Sequence, residues 1–264
     1  MAVENPLFGI PRVYTRPVEL GSRGLDAWET LRNRAQRTAV LRPDIPDYVG
    51  LPWINGKEPG DIDRDCQSEA AAIVLSAFQD TTPNVILGVG NSGLRFAEEV
   101  VNQYRRSHPN PSRVGYGRIT NQERLVSSTP KKGTLFTAHS YSRRRPVSFH
   151  IPEIPPGSTA LVIDDVSAQG SIASALIKEL VELGVDVVGF GVYFNKDWQG
   201  GLVKVTDETG VPSFSVIRIE KKTNDGIVLL PPEKALTRIE KTVFKPEIAP
   251  IYSDFMYPTD DIQN

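Results

Sequence analysis

Cysteine is nearly absent from this chain. Its 264 residues hold one, Cys66, so no disulfide can close within it and a cysteine-based metal site has no partners to draw on. A single thiol of this kind reads as a small, partly buried side chain. Histidines number three, and His139 and His150 have no partner at metal-ligand spacing, which leaves both outside the expected chemistry. An excess of either charge is also missing. The formal net charge is −2, so non-specific attraction to nucleic acid or to an anionic membrane has no electrostatic support. No apolar run approaches the roughly 20 residues of a membrane span. The opening MAVENPLFGIPRVYTRP has neither the basic nor the apolar region of a secretory signal, and a reducing cytoplasm is the expected location. Repeats and low-complexity tracts are absent. At 39% hydrophobic, a chain of 264 residues can bury one sizeable core, and one domain with appendages is expected.

What the chain does have is the stretch Ala160 to Ile172, ALVIDDVSAQGSI. The apolar Leu161, Val162 and Ile163 read as a strand buried on both faces of a parallel sheet. Asp164 and Asp165 follow at its carboxyl end, where open α/β sheets bind ligands. Ser167, Ala168, Gln169, Gly170 and Ser171 then form a turn that opens a helix, Ile172 to Leu183. Free backbone N–H groups at such a helix start suit a phosphate dianion, and the two carboxylates suit the cis hydroxyls of a ribose. The plain alternative is a strand-to-helix turn in which Asp165 or Ser167 caps the helix.

A second turn of the same kind, Leu87 to Gly93 (LGVGNSG), follows Val85, Ile86 and Leu87 and precedes an amphipathic helix, Leu94 to Tyr104. Its Gly88, Gly90 and Gly93 imitate a dinucleotide fingerprint, but no acidic residue ends a strand about twenty residues further on, where a ribose partner is due. Elsewhere, helices are expected over Leu25 to Ala39 and Ile62 to Phe78. Strands are expected over Asn84 to Val89, Val114 to Ile119, Thr159 to Ile163, Val187 to Phe194 and Phe214 to Ile219. Asn121 to Arg145 reads as a polar excursion. Alternating strands and helices imply an α/β fold with a parallel sheet and right-handed crossovers.

The strand, the two acids and the small-residue turn together resemble the type I phosphoribosyltransferases, which bind 5-phosphoribosyl-1-pyrophosphate (PRPP). Val162 to Gly201 is most similar to the xanthine phosphoribosyltransferase branch, which has a lysine and an aromatic just after the next strand, here Lys196 and Trp198. PWINGKEP, Pro52 to Pro59, resembles that branch's hood, with Asn55 at the purine-contacting position, and GTLFTAHSYS, Gly133 to Ser142, resembles its mobile loop. Gln169 stands where many members have threonine or glycine, so one hydroxyl contact to phosphate is expected to be missing.

The resemblance implies a type I phosphoribosyltransferase fold, with a central parallel sheet flanked by helices and a domain over 48–230 whose hood covers about 48–60. N- and C-terminal extensions occupy 1–47 and 231–264. It implies a purine-type phosphoribosyltransferase with a xanthine-like acceptor, Mg²⁺ as cofactor, and PRPP and a purine base as its partners; relatives are commonly homodimers. The roles carried over are Asp164 and Asp165 for the ribose and Mg²⁺; Ala168, Gln169, Gly170, Ser171 and Ile172 for the 5-phosphate; Gly90, Asn91, Ser92 and Gly93 for pyrophosphate; and Asn55, Lys196 and Trp198 for the base. Lys131, Lys132 and Arg143 to Arg145 flank the loop and read mainly as a solvated basic face. Two alternatives share the fold: a non-catalytic sensor of PRPP or nucleotide, and a transferase for another base. The first 47 residues offer room for one good helix, too little for a winged-helix DNA-binding module.

Overall fold

A computed structural model describes residues 12–42, 47–51, 61–108, 115–121, 132–140 and 145–242. In chain order, β1 (Val13–Pro17) and α1 (Ser22–Thr38) lead to the short strands β2 (Val40–Leu41) and β3 (Val49–Gly50). Then come α2 (Asp61–Ala77), β4 (Val85–Val89), α3 (Gly90–Ser107), β5 (Gly115–Asn121), β6 (Gly133–Ser140) and β7 (Arg145–Pro152). Next are β8 (Thr159–Ser167), α4 (Ser171–Glu182), β9 (Asp186–Lys196), a 3-10 turn (Asp197–Gln199) and α5 (Gly201–Thr209). The described chain ends with β10 (Ser213–Lys222), β11 (Ile227–Leu229), α6 (Pro232–Ala235) and β12 (Thr237–Lys241). Among the described residues no helix is long and apolar enough to cross a membrane.

The strands form one sheet in the order β1-β12-β10-β9-β8-β4-β5-β7-β6, with β11 on β10, while β2 and β3 pair separately. Its centre, β10-β9-β8-β4-β5, is parallel. Alternation along β8 explains why that centre is stable: Leu161 and Ile163 point into the layer formed with α1, α2 and α3, and Ala160 and Val162 into the layer formed with α4 and α5. All four are 0% exposed. Each of the three larger side chains contributes about 1.5–3 kcal/mol by leaving water. From β4 the chain first moves outward to β5 and later returns to place β8 on the opposite side of β4. The crossovers therefore diverge between β4 and β8, which opens a crevice at the carboxyl ends of those two strands.

The structure differs from the sequence expectations in four places. Helix α3 starts at Gly90, not Leu94, because Gly90 at φ 68° turns the chain straight out of β4, so the expected loop is mostly the first helical turn. β8 does not stop at Ile163 but runs through both acids to Ser167, held by pairing of Asp164, Val166 and Ser167 with Val192, Phe194 and Asn195 of β9. The polar excursion and part of the expected mobile loop contain β6, which pairs antiparallel with β7 from Gly133↔Pro152 to Ser140↔Arg145. Phe136, Ala138, Val147 and Phe149 face inward there. Finally, the described parts of the expected extensions are built into the fold: β1 pairs with β12, β12 pairs with β10, and Trp28 of α1 is buried with its Nε1 donating to Val216 O at 2.8 Å.

Candidate active site

The crevice holds a cavity of about 500 Å³. One wall is the stretch from Asp164 to Ala173, the second is the end of β9 with Phe190, Phe194 and Lys196, and the third is Asp47 to Leu51 beside β2. His139 of β6 closes a corner. The acid pair, the small-residue turn and Lys196, singled out separately from sequence, therefore share one space.

The acids are fixed by their own backbone and by α3. The Asp165 amide donates to Asp164 Oδ1 at 2.8 Å. A Cβ on Gly93 would lie 2.9 Å from Asp164 Oδ1 and 3.1 Å from its Cα, so only hydrogen fits where α3 meets the pair. The Ser92 hydroxyl bonds to Asp165. Gly90 to Gly93 thus back the acids; among the described residues they do not line the cavity itself. Burial first, and then the charge of Asp165, push the Asp164 carboxyl well above the usual carboxylate range. Burial raises Asp165 as well, opposed by hydrogen bonds from Asp164, the local backbone and Ser92. Neither carboxylate has an ion-pair partner among the described residues. A pair in this condition is relieved by a cation or by hydroxyl donors.

Past the acids, Gly170 adopts φ 71° and starts α4, whose first amides are free of intrahelical partners. Lys196, at the end of β9, is 6% exposed, and its Nζ donates to Asp47 O at 2.9 Å. Burial lowers its pKa, opposed by the Asp47 charge. Asp47 itself is held in the left-handed region at φ 61°. Trp198 is not brought into the cavity: it lies in the 3-10 turn, partly buried against the core beneath α1, α2 and α3. Asn55 lies outside the described residues.

Two features escaped sequence reasoning. His139 has no partner at metal-ligand spacing in the sequence, and only the hairpin carries it to the cavity. The second is a buried network beneath Lys196. Asn195 Nδ2 donates to Asp197 Oδ1 at 2.5 Å, and Arg218 grips both Asp197 oxygens, Nε to Oδ1 at 3.0 Å and a terminal nitrogen to Oδ2 at 2.5 Å. Arg218 also donates to Lys234 O at 2.8 Å and to Thr237 Oγ1 at 3.2 Å. The C-terminal segment therefore braces the lysine's end of the site. No local motif signals this, because the partners come from β9, β10, α6 and β12.

The fold defined by this sheet and crevice is that of the phosphoribosyltransferases. The adenine phosphoribosyltransferase of Rhodothermus marinus superposes with a TM-score of 0.56 at 18% identity, over 74% of this chain and 99% of that one. The Giardia lamblia enzyme, solved with 9-deazaadenine, gives 0.54 at 19% identity over 70% and 96%. That of Trypanosoma brucei, solved with AMP, pyrophosphate and ribose-5-phosphate, gives 0.52 at 13% identity over 71% and 79%. Sequence similarity points to a particular branch. The xanthine phosphoribosyltransferase of Listeria innocua is 33% identical over 100 residues, 37% of this chain and 51% of that protein. Its Listeria monocytogenes counterpart is 30% identical over 114 residues, 42% of this chain and 59% of that protein. The chain thus spans little more than half the length of these relatives. No protein-family model matches it.

Proposed function

We propose that this protein transfers the 5-phosphoribosyl group of PRPP to a purine base of the xanthine type, with release of pyrophosphate. The observation that carries this reading is the one cavity that gathers two half-buried carboxylates, a turn at a helix start and a buried lysine. The amides of Ala168 to Ile172 take the 5-phosphate. Asp164 and Asp165 accept from the ribose hydroxyls. The pyrophosphate is assigned to the amides of Gly90 to Gly93 at the start of α3, beside the acids and just outside the cavity lining. Lys196 donates to a carbonyl oxygen of the base, with Asn55 as a further contact.

A ring nitrogen of the base forms the new bond to C1 of the sugar as the C1–O bond to pyrophosphate breaks. Its electron pair leaves on the pyrophosphate oxygen, and the nitrogen's proton is lost to solvent. The transition state is oxocarbenium-like and needs no covalent nucleophile, so the protein's part is positioning, charge neutralisation and exclusion of water. Asp164 and Asp165 are hard oxygen donors, and among the described residues no cluster of three or more metal-ligating side chains stands with them. They fit a Mg²⁺ that draws its other ligands from PRPP. When bound, that ion supplies positive charge to the leaving pyrophosphate.

The test is pyrophosphate release from PRPP and Mg²⁺ with xanthine, guanine, hypoxanthine or adenine in turn. Release with the highest kcat/KM on xanthine is expected. PRPP binding without release from any base would replace the transferase with a sensor of the same fold, and release fastest on adenine would overturn the choice of base.

A further inference from the structure

The turn assigned to the 5-phosphate does not stand alone; a second helix starts against it. A Cβ on Gly170 would lie 2.4 Å from Gly201 O, and one on Gly201 would lie 2.3 Å from Ala168 O. Both positions therefore admit only glycine if the two chains are to stay this close. Gly201 is the first residue of α5, so α4 and α5 begin side by side and the partial positive charges of both first turns converge. From the first turn of α5, Lys204 Nζ donates to Ser171 Oγ at 3.2 Å, on the residue that opens α4. Glu208 is the acid near Lys204, at 3.8 Å, but it lies closer to Lys178, at 3.0 Å. Lys204 thus brings a positive charge to the turn, and the carboxylate paired with it, Glu208, is shared with Lys178.

A second observation points to a missing ligand at the same place. Ser167 lines the cavity and is 3% exposed, and its hydroxyl oxygen has no hydrogen-bond partner among the described residues. It sits where a Cβ on Gly201 would approach it to 2.6 Å, between the turn and α5. A buried hydroxyl left unpaired is costly, and an acceptor brought between the two helix starts would relieve that cost.

We propose that Lys204 and Ser167 complete the 5-phosphate cradle, Lys204 as its cation and Ser167 as an additional hydroxyl donor. This rests on the phosphoribosyl reading of the cavity and extends it to residues outside the turn. It also accounts for Gln169, which stands where a hydroxyl-bearing residue is common in the family the turn resembles: the hydroxyl comes instead from Ser167, at the end of β8, and the charge from α5. Lysine serves as a point charge on a flexible stem, so Nζ can pass from Ser171 Oγ to a phosphate oxygen without backbone movement.

The experiment is calorimetric titration of ribose 5-phosphate, with ribose as the unphosphorylated comparison, into the full chain and its Lys204→Met, Lys204→Arg and Glu208→Gln variants. Lys204 is partly exposed, so its replacement leaves the core intact. Lys204→Met is expected to weaken ribose 5-phosphate about tenfold, the lower end for a charge-assisted bond, and to flatten the salt dependence. Lys204→Arg retains most of the affinity, and Glu208→Gln, which removes the nearby carboxylate, tightens binding. Affinities for ribose 5-phosphate within twofold of the unaltered chain in Lys204→Met, or no tightening in Glu208→Gln, would overturn the role of Lys204. If the unaltered chain binds neither ribose 5-phosphate nor PRPP, the phosphoribosyl reading falls and takes this inference with it.

Discussion

Replacing Gly201 by alanine puts the close approach of α5 to the turn after Asp165 to a quantitative test. The added Cβ would lie 2.3 Å from Ala168 O and 2.6 Å from Ser167 Oγ. A comfortable carbon–oxygen contact is about 3.3 Å, so the phosphate turn and the start of α5 must part by about 1 Å. Overpacking of that size costs about 1–3 kcal/mol of stability. In an open helical position the same change would stabilise the helix by up to about 1 kcal/mol, so even the sign discriminates. A displacement of 1 Å in a group that holds the substrate costs on the order of 10²-fold in rate. The expected result for Gly201→Ala is thus a lower Tm together with a kcat/KM for PRPP reduced by about two orders of magnitude. Gly226→Ala serves as the comparison, since a Cβ there meets nothing within 4 Å. A Gly201→Ala protein with unchanged Tm and PRPP kinetics would refute the apposition of the two helix starts.

Other expectations follow from the buried charges. Arg218→Met leaves the Asp197 carboxylate, 17% exposed, without its doubly bonded partner and should cost about 3 kcal/mol by chemical denaturation, with a raised KM for the base; Asp197→Asn on top of it should restore part of the loss. Hydrogen bonding to Arg238 holds the Asp80 carboxyl down at about 2, below its ordinary 3.8, so the stability it contributes is present above pH 5 and disappears as pH falls towards 2. Because the Asp80 side chain is 42% exposed, that contribution is discounted to about 1 kcal/mol, and Asp80→Asn should flatten the fall of Tm between pH 5 and pH 2.5. Lys196→Met removes a charge that burial already disfavours, so Tm should hold while KM for the base rises at least tenfold and PRPP affinity stays within about twofold. A parallel loss of PRPP affinity would contradict the assignment of Lys196 to the base.

The parts legible in the sequence were those whose signals are local. Leu161 to Ile163 announce a strand buried on both faces because both helix layers are built from the same run, and Gly170 announces a helix start because its left-handed backbone favours glycine. The acids were placed at a strand end; that β8 continues past them depends on pairing with Val192, Phe194 and Asn195, which nothing between Asp164 and Ser167 reveals. The β6–β7 hairpin was missed because its apolar positions alternate within a polar stretch, with Leu135 exposed and Phe136 buried. β1 and β12 were missed for a related reason: VYTRP and TRIEK are short and polar, and they become strands by pairing with each other across most of the chain. Lys204 and the Asp197–Arg218 pair were out of reach because their meaning comes only from elements that meet in space. Trp198 shows the opposite failure, an aromatic whose sequence position beside Lys196 does not carry it into the cavity.

The central claim is that Asp164 and Asp165, with the turn after them, hold the sugar phosphate of PRPP. Isothermal titration of PRPP with Mg²⁺ into the unaltered chain and into Asp164→Asn/Asp165→Asn tests it most directly. The account predicts saturable one-site binding to the first and at least about a tenfold weaker affinity in the second. No binding to the unaltered chain, or equal affinity in both proteins, would contradict it.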